Sequence, residues 1–291
     1  MEQQTFGGDW TEEKLKRVSK YLKAYSTIMN KYNFNYAYID AFAGTGYRTL
    51  RDEDELNTLL LPELVEQESK KFLDGSARIA LQIKPEFKKY IFIEKDENKV
   101  NELEKLKIDF PNLSERISII HSDANVYLKD LCRKDWKTRR AVLFLDPFGM
   151  QIPWETIELI AQTKAIDLWY LFPLGIAINR LLTKDGNISE SRKARLNEVF
   201  GTTDWYDTFY RITEQTNLFG DTYSTTEKIA NCELIGQYFT ERLKTIFEGV
   251  AKNPLVLCNS RNTPLYLLCF AAGNKKGAST AIKIAQDILK K

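Results

Sequence analysis

The sequence predicts a doubly wound α/β protein: a mostly parallel sheet with helices on both faces. Three observations predict it. Five short β-rich runs alternate with helix-period segments through the first 172 of 291 residues. The run at 141–145 (AVLFL) is continuously apolar, as strands buried on both faces of a parallel sheet are. Each of the first four runs is followed by an acidic or glycine-bearing segment, at the carboxyl end where this architecture places its ligands.

The elements follow in order. Over 11–30, Leu15, Val18, Leu22, Tyr25 and Met29 recur at helical spacing with Lys14, Lys16, Lys20 and Lys23 between them, so residues 1–35 form an N-terminal helical segment. A first strand at 36–39 (YAYI) runs into Asp40. Residues 47–75 are acidic and Leu-rich without a clean period, and read as an insertion, either a lid or a passive excursion. A helix at 75–83 leads to a second strand at 90–93 (YIFI). Helices at 96–109, 125–133 and 155–163 alternate with strands at 117–120, 141–145 and 166–172.

After Pro173 the pattern changes. Residues 174–225 read as helical and loop-like, an insertion with basic and aromatic residues. A long amphipathic helix is expected at 225–247, opened by a Thr-Thr-Glu start signal. Two β-rich runs, 255–258 and 265–271, then predict an antiparallel pair closing the sheet edge before a final helix at 277–289. With no repeat and no low-complexity linker, one domain with insertions over 1–291 is the expectation.

Composition narrows the function. There are 42 Lys+Arg against 40 Asp+Glu and one His, a formal charge of +2. That argues against a protein that coats nucleic acid electrostatically, and leaves room for a local basic patch. No apolar run is long enough for a membrane span, and the polar N-terminus lacks a signal-peptide pattern, so a cytoplasmic location is expected. Cys132, Cys232, Cys258 and Cys269 are scattered, and His121 alone cannot build an imidazole site, so no metal is expected.

Four segments carry candidate chemistry. Asp40-Ala-Phe-Ala-Gly44-Thr-Gly46 is either a plain turn or a loop whose backbone approaches a ligand, with Asp40 accepting from an ammonium or hydroxyl. Thr49 stands where a dinucleotide fingerprint needs its third glycine. Glu94 can accept both hydroxyls of a ribose, or stand solvated while Asp96 caps the next helix. Asp123 can accept from an adenine amino group, or cap the helix that follows it. His121 beside it reads as an edge residue.

The fourth is Asp146-Pro147-Phe148-Gly149, either a strand-to-helix turn or an amine site. In the second case the Asp146 carboxylate and the Pro147 carbonyl each accept one N–H of an exocyclic amine and so aim its lone pair. Phe148 is placed to stack on a base. Trp154 is a further stacking candidate, with core packing as the alternative.

Taken in order, these segments resemble the class I S-adenosylmethionine-dependent methyltransferases, which implies a Rossmann-like sheet and S-adenosyl-L-methionine as cofactor. DAFAGTG is similar to their DxFxGxG loop, which implies cofactor contacts at Asp40, Phe42, Gly44 and Gly46. Glu94 matches their ribose acid, and Asp123, with Ala124 beside it, their adenine contact. DPFG is similar to the tetrad of tRNA guanine-N2 dimethyltransferases and, more loosely, to the DPPY of adenine-N6 enzymes, whose final aromatic is missing here. The likeness implies catalytic roles for Asp146, Pro147 and Phe148 on an amino group of an RNA or DNA base. Arg180, Arg192, Lys193, Arg195, Trp205 and Tyr206 are then a candidate acceptor platform within 174–225, or parts of an ordinary helical subdomain.

A second resemblance covers nearly the whole chain. YIDAFAGTG, GSARIAL, FIEKD, FLDPFGMQIPWETIELIA and IDLWYLFPLGIAINRLL look like the bacterial three-Cys-motif partner protein family. It implies a methyltransferase-like chain paired with a three-cysteine, radical-SAM-like protein. That chain is either an enzyme or a non-catalytic, regulatory partner.

Overall fold

The computed structural model describes residues 10–32, 34–44, 75–216, 219 and 221–290. Strands β1 (Asn35–Asp40), β2 (Lys89–Glu94), β3 (Ile117–His121), β4 (Arg139–Leu145) and β5 (Ile166–Phe172) are the five expected, each within two residues of its sequence bounds. They lie in the order β3-β2-β1-β4-β5 and are parallel throughout, with Asp40 level with Phe92 on one side and Phe144 on the other. The chain leaves β1 toward β2 on one side and reaches β4 on the other, so the order reverses at β1/β4. That reversal marks the carboxyl ends of β1 and β4 as the usual ligand position of a doubly wound sheet.

Helix Trp10–Lys31 packs on both Ser76–Gln82 and Ala278–Leu289, and Ala124–Cys132 packs on Trp154–Gln162. With right-handed crossovers the two groups cover opposite faces. Every residue of β5 is buried, and so are the last five of β4, which is why those segments read as unbroken apolar runs. The N-terminal helix lies over β5 and its neighbour strand. Tyr21 packs against Trp169 and Phe270 at 5.4 and 4.7 Å, and its hydroxyl donates to Asp167 Oδ2 at 2.7 Å. Asp167 Oδ1 accepts from Gly273 N at 3.2 Å, so this mid-strand carboxyl is satisfied, although burial pushes it up to about 6.

The C-terminal strands close the edge as expected. After β6 (Tyr210–Thr216), β7 (Thr222–Lys228) and β8 (Gly249–Val250) come β9 (Leu255–Cys258) and β10 (Pro264–Ala272). β10 runs antiparallel to β5, and its other edge carries both β8 and β9. The Rossmann-like fold class read from the sequence is therefore the one observed.

Two readings need correction. Residues 174–225 are not simply helical. After helical turns at Leu174–Ile178 and Asn179–Leu181 and helices Glu190–Phe200 and Trp205–Phe209, the chain forms the antiparallel hairpin β6–β7. Nearly all its residues are exposed on both faces, so no apolar/polar alternation announced the strands. The helix expected from 225 begins at Cys232, and Thr225 to Lys228 belong to β7. The operative cap is Asn231, whose side chain accepts from Leu234 N at 2.8 Å, and the threonine run takes the extended conformation that β-branched residues favour. Among the described residues no helix is long and apolar enough to cross a membrane.

Candidate functional site

Four acids stand at four neighbouring strand ends. Asp40, the last residue of β1, is fully buried. Its Oδ2 accepts from Tyr38 Oη at 3.2 Å and its Oδ1 from Phe42 N at 3.3 Å. Burial pushes this carboxyl up to about 7. The Ser76 hydroxyl opposes the rise without making a hydrogen bond of normal geometry, and the nearby Asp146 charge adds to it. The loop that follows is laced to both neighbouring strands: Ala41 N donates to Phe144 O and Ala43 N to Ile93 O. Phe42 is half-buried between them.

Gly44 is where the first two strand ends meet. A Cβ there would lie 2.8 Å from Glu94 Oε2 and 2.9 Å from Lys99 Cβ, closer than real contacts come. Glycine lets the loop backbone lie directly on the acid of β2. Glu94 itself is buried, and its Oε1 accepts from Lys95 N and Asp96 N, both at 2.7 Å. That pins the carboxylate and turns Oε2 toward the loop. Asp96 caps helix Glu97–Asp109, so capping and the orientation of Glu94 coexist rather than compete.

Asp123 is a helix cap. Its Oδ1 accepts from Asn125 N and Val126 N at 2.9 and 3.3 Å, opening helix Ala124–Cys132, while Oδ2 faces Lys95 at 3.7 Å across an exposed gap. Ala124 is the buried first residue of that helix. Asn125 reaches across to the β4 loop, donating to Gln151 O at 2.9 Å. His121 is exposed, with Nε2 3.0 Å from Lys95 O.

The β4 end holds what sequence reasoning missed. Asp146 is buried, and its Oδ2 meets Lys14 Nζ at 2.7 Å, the two side chains being 8% and 2% exposed. Lys14 had the pattern of a solvent-facing lysine between apolar positions. Instead it lies on the inward face of the N-terminal helix, beside Leu15 and Val18. Only the position of Lys14 one turn after Trp10 and one before Val18 hinted at this. Among the described residues, Asp146 Oδ1 and the Pro147 carbonyl accept no hydrogen bond. Phe148 is half-buried, its N–H donating to Gln151 Oε1 at 3.0 Å, and Gly149 turns the chain with φ +70°.

The structure brings together Asp40, Phe42, Gly44, Glu94 and the Asp146–Phe148 loop, with Asp123 and Ala124 at the next strand end. Gly46 lies outside the described residues, as does all of the 47–75 insertion except Gly75. Trp154 is a core residue under the Arg242 guanidinium at 4.6 Å, not a base-stacking surface. Trp205 is also buried, donating to Asn197 Oδ1, and Tyr206 stacks on Tyr210 at 4.7 Å. Lys193 and Arg195 pair with Glu190 and Glu198 on their own helix, while Arg192 is half-buried and Arg180 exposed. Of the expected platform, the aromatics therefore belong to packing.

No protein-family model matches the chain, and no curated protein matches it. Solved structures of similar shape include protein LPL1258 from Legionella pneumophila, at 16% identity and TM-score 0.40 over 82% of this chain and 93% of that one. Spermidine synthase from Thermotoga maritima is similar at 11% identity and TM-score 0.43 over 95% of this chain and 63% of that one. A methyltransferase from Geobacter sulfurreducens is similar at 13% identity and TM-score 0.32 over 73% and 78%. At such distances the function has to be read from the residues at the strand ends.

Proposed function

We propose that this chain is an S-adenosylmethionine-dependent methyltransferase acting on an amino group, with an exocyclic amine of an RNA or DNA base as acceptor. One observation carries the reading: Asp146 Oδ1 and the Pro147 carbonyl, two acceptors without partners among the described residues, stand beside a loop whose Gly44 lies on the Glu94 carboxylate.

The residues fit the cofactor. A side chain at Gly44 would collide with Glu94, so the glycine is what lets the loop backbone reach the acid that would take the ribose. Asp40 would face the ammonium, Phe42 and Gly44 would frame the methionine end, Glu94 Oε2 would take the ribose hydroxyls, and Asp123 and Ala124 would flank the adenine. The cofactor supplies a methyl group made electrophilic by a sulfonium.

This chain's residues do the rest. An sp³-like lone pair on an exocyclic amine is recruited by fixing its two N–H bonds, and Asp146 Oδ1 with the Pro147 carbonyl offers one acceptor for each. The carboxylate also stabilises positive charge growing on the nitrogen, and the surplus proton then leaves to water without a dedicated base. Phe148, half-buried at the loop, supplies an apolar face for the base, which a duplex substrate would have to flip out.

The test is transfer of radiolabelled methyl from S-adenosylmethionine to RNA, DNA and protein pools, with Asp146→Ala alongside. Transfer to a nucleic acid that Asp146→Ala abolishes, with cofactor binding intact, supports the reading; transfer undiminished by Asp146→Ala sinks the amine mechanism. A second reading makes the chain a non-catalytic companion of a three-cysteine, radical-SAM-like protein. The exposed β6–β7 arm favours it, presenting Ile212 at 61% and Tyr223 at 48% exposure with no cover among the described residues.

A further inference from the structure

The Lys14–Asp146 pair differs in kind from the other ion pairs of the described chain. Several of those join residues three or four apart on one helix and are well exposed, as Lys193–Glu190 and Lys244–Glu241 are, and such pairs contribute little. Lys14 and Asp146 are 132 positions apart, on different elements, and both are nearly inaccessible. An ammonium on the inward face of a helix is costly to bury, and the arrangement persists only because the partner charge is close and well aimed.

The ammonium is held from two sides. Asp146 Oδ2 accepts from Lys14 Nζ at 2.7 Å, and the same nitrogen sits 4.9 Å from the centre of the Trp10 ring, within reach of a cation–π attraction. Trp10 in turn packs on Tyr266 at 4.9 Å. The carboxylate is thus gripped at one oxygen by a group that has little freedom to move. The helix does not need this contact to dock, since Tyr21 already ties it to Asp167, Trp169 and Phe270.

We propose that Lys14 is a positioning residue for the acceptor site: by tying Oδ2 it keeps Asp146 ionised and turned so that Oδ1 meets the incoming amine. The role rests on the amino-methyltransferase reading above, and it makes the N-terminal helix part of the acceptor site. Among the described residues, the other titratable groups facing Asp146 are Asp40 and Tyr38, both on β1. Without Lys14 the cheapest state of a buried carboxyl beside another acid is the protonated one, whose Oδ1 presents a competing donor or a weaker acceptor.

Carboxyl-carbon NMR of protein labelled at aspartate tests this directly. Asp146→Asn assigns the resonance, and Asp40→Asn removes the neighbour's titration. The wild-type midpoint of Asp146 is the reference. Lys14→Met raises its midpoint by about 2 pH units or more, and Lys14→Arg, which restores the charge, brings it back to within about one unit. Should Lys14→Met lose the fold, Lys14→Gln serves for the same titration. A midpoint that does not move when the charge is removed, or that Lys14→Arg fails to rescue, overturns the proposal. Calorimetry of the wild type with S-adenosylmethionine separates the two layers. A chain that binds none loses the methyltransferase reading, and with it the acceptor role of the pair, even where the titration shows the coupling.

Discussion

Asp40 gives the fold a pH dependence that can be worked out from its surroundings. The carboxyl is fully buried, and its pKa stands at about 7 against an ordinary 3.8. The folded chain therefore holds a proton that the unfolded chain has released, throughout the interval from about pH 4 to 7. Because the folded state binds the extra proton, stability falls as pH rises through that window, and the loss is complete above it. Each pH unit crossed costs about 1.4 kcal/mol, so the whole window amounts to roughly 4 kcal/mol and the part from pH 5 to 7 to roughly 3 kcal/mol.

Asp40→Asn removes the titration. The amide oxygen can serve only one of the two donors, Tyr38 Oη and Phe42 N, which costs about 1 kcal/mol independent of pH. What matters is the difference between the two proteins. At about 2.1 cal/mol/K per residue, a chain of this length gains about 0.6 kcal/mol/K on melting, so the variant's melting temperature should climb by about 5 °C relative to wild type between pH 5 and 8.5. Differential scanning calorimetry of both proteins at the two pH values reads this. Parallel melting temperatures across that range would show that Asp40 does not carry the proton, and the account of a buried, poised acid would fail.

Three further outcomes follow from the packing. Gly44→Ala forces a Cβ to within 3 Å of Glu94 and Lys99, so the loop has to shift; an overpacking cost of 1–3 kcal/mol predicts roughly tenfold or more weaker S-adenosylmethionine binding by calorimetry. Lys228 anchors the root of the β6–β7 arm by donating to Asn179 O, Asn179 Oδ1 and Leu182 O at 3.0, 2.8 and 3.2 Å. Lys228→Met leaves those acceptors unpaired, and limited proteolysis should then cut within 210–228 at least several-fold faster while the sheet stays intact. Gly175→Ala would drive a Cβ to 1.9 Å from the Pro264 carbonyl oxygen, a backbone atom that cannot yield, whereas Gly277→Ala meets nothing closer than 3.8 Å. Thermal melts should find the first unfolded or lower by several °C and the second within about 1 °C of wild type.

The sheet was legible because its strands are apolar on both sides and each ends at a chemically distinct residue. YAYI, YIFI, ISII, AVLFL and IDLWYLF could hardly be anything else, and the position of Asp40, Glu94 and Asp146 at strand ends follows from where those runs stop. The hairpin was not legible for the opposite reason. Its described residues pack against almost nothing, so burial imprinted no period on Ile212, Glu214 or Thr226, and the Thr-Thr-Glu signal drew the helix start away from the cap at Asn231. Lys14 escaped because its type argues for solvent, while its partner is far along the chain; a long-range ion pair leaves no local trace. For Asp123 the sequence left cap and ligand contact open, and the geometry shows the cap, with the second oxygen facing Lys95.

The proposed function requires the β1–β4 strand ends to hold S-adenosylmethionine. Calorimetric titration of the purified chain with S-adenosylmethionine and S-adenosylhomocysteine, with Asp40→Ala and Glu94→Ala as controls, tests it most directly. One site with a dissociation constant of roughly micromolar order is expected in the wild type, with a loss of roughly tenfold or more in each variant. No heat up to about millimolar ligand, or binding indifferent to both acids, would contradict it.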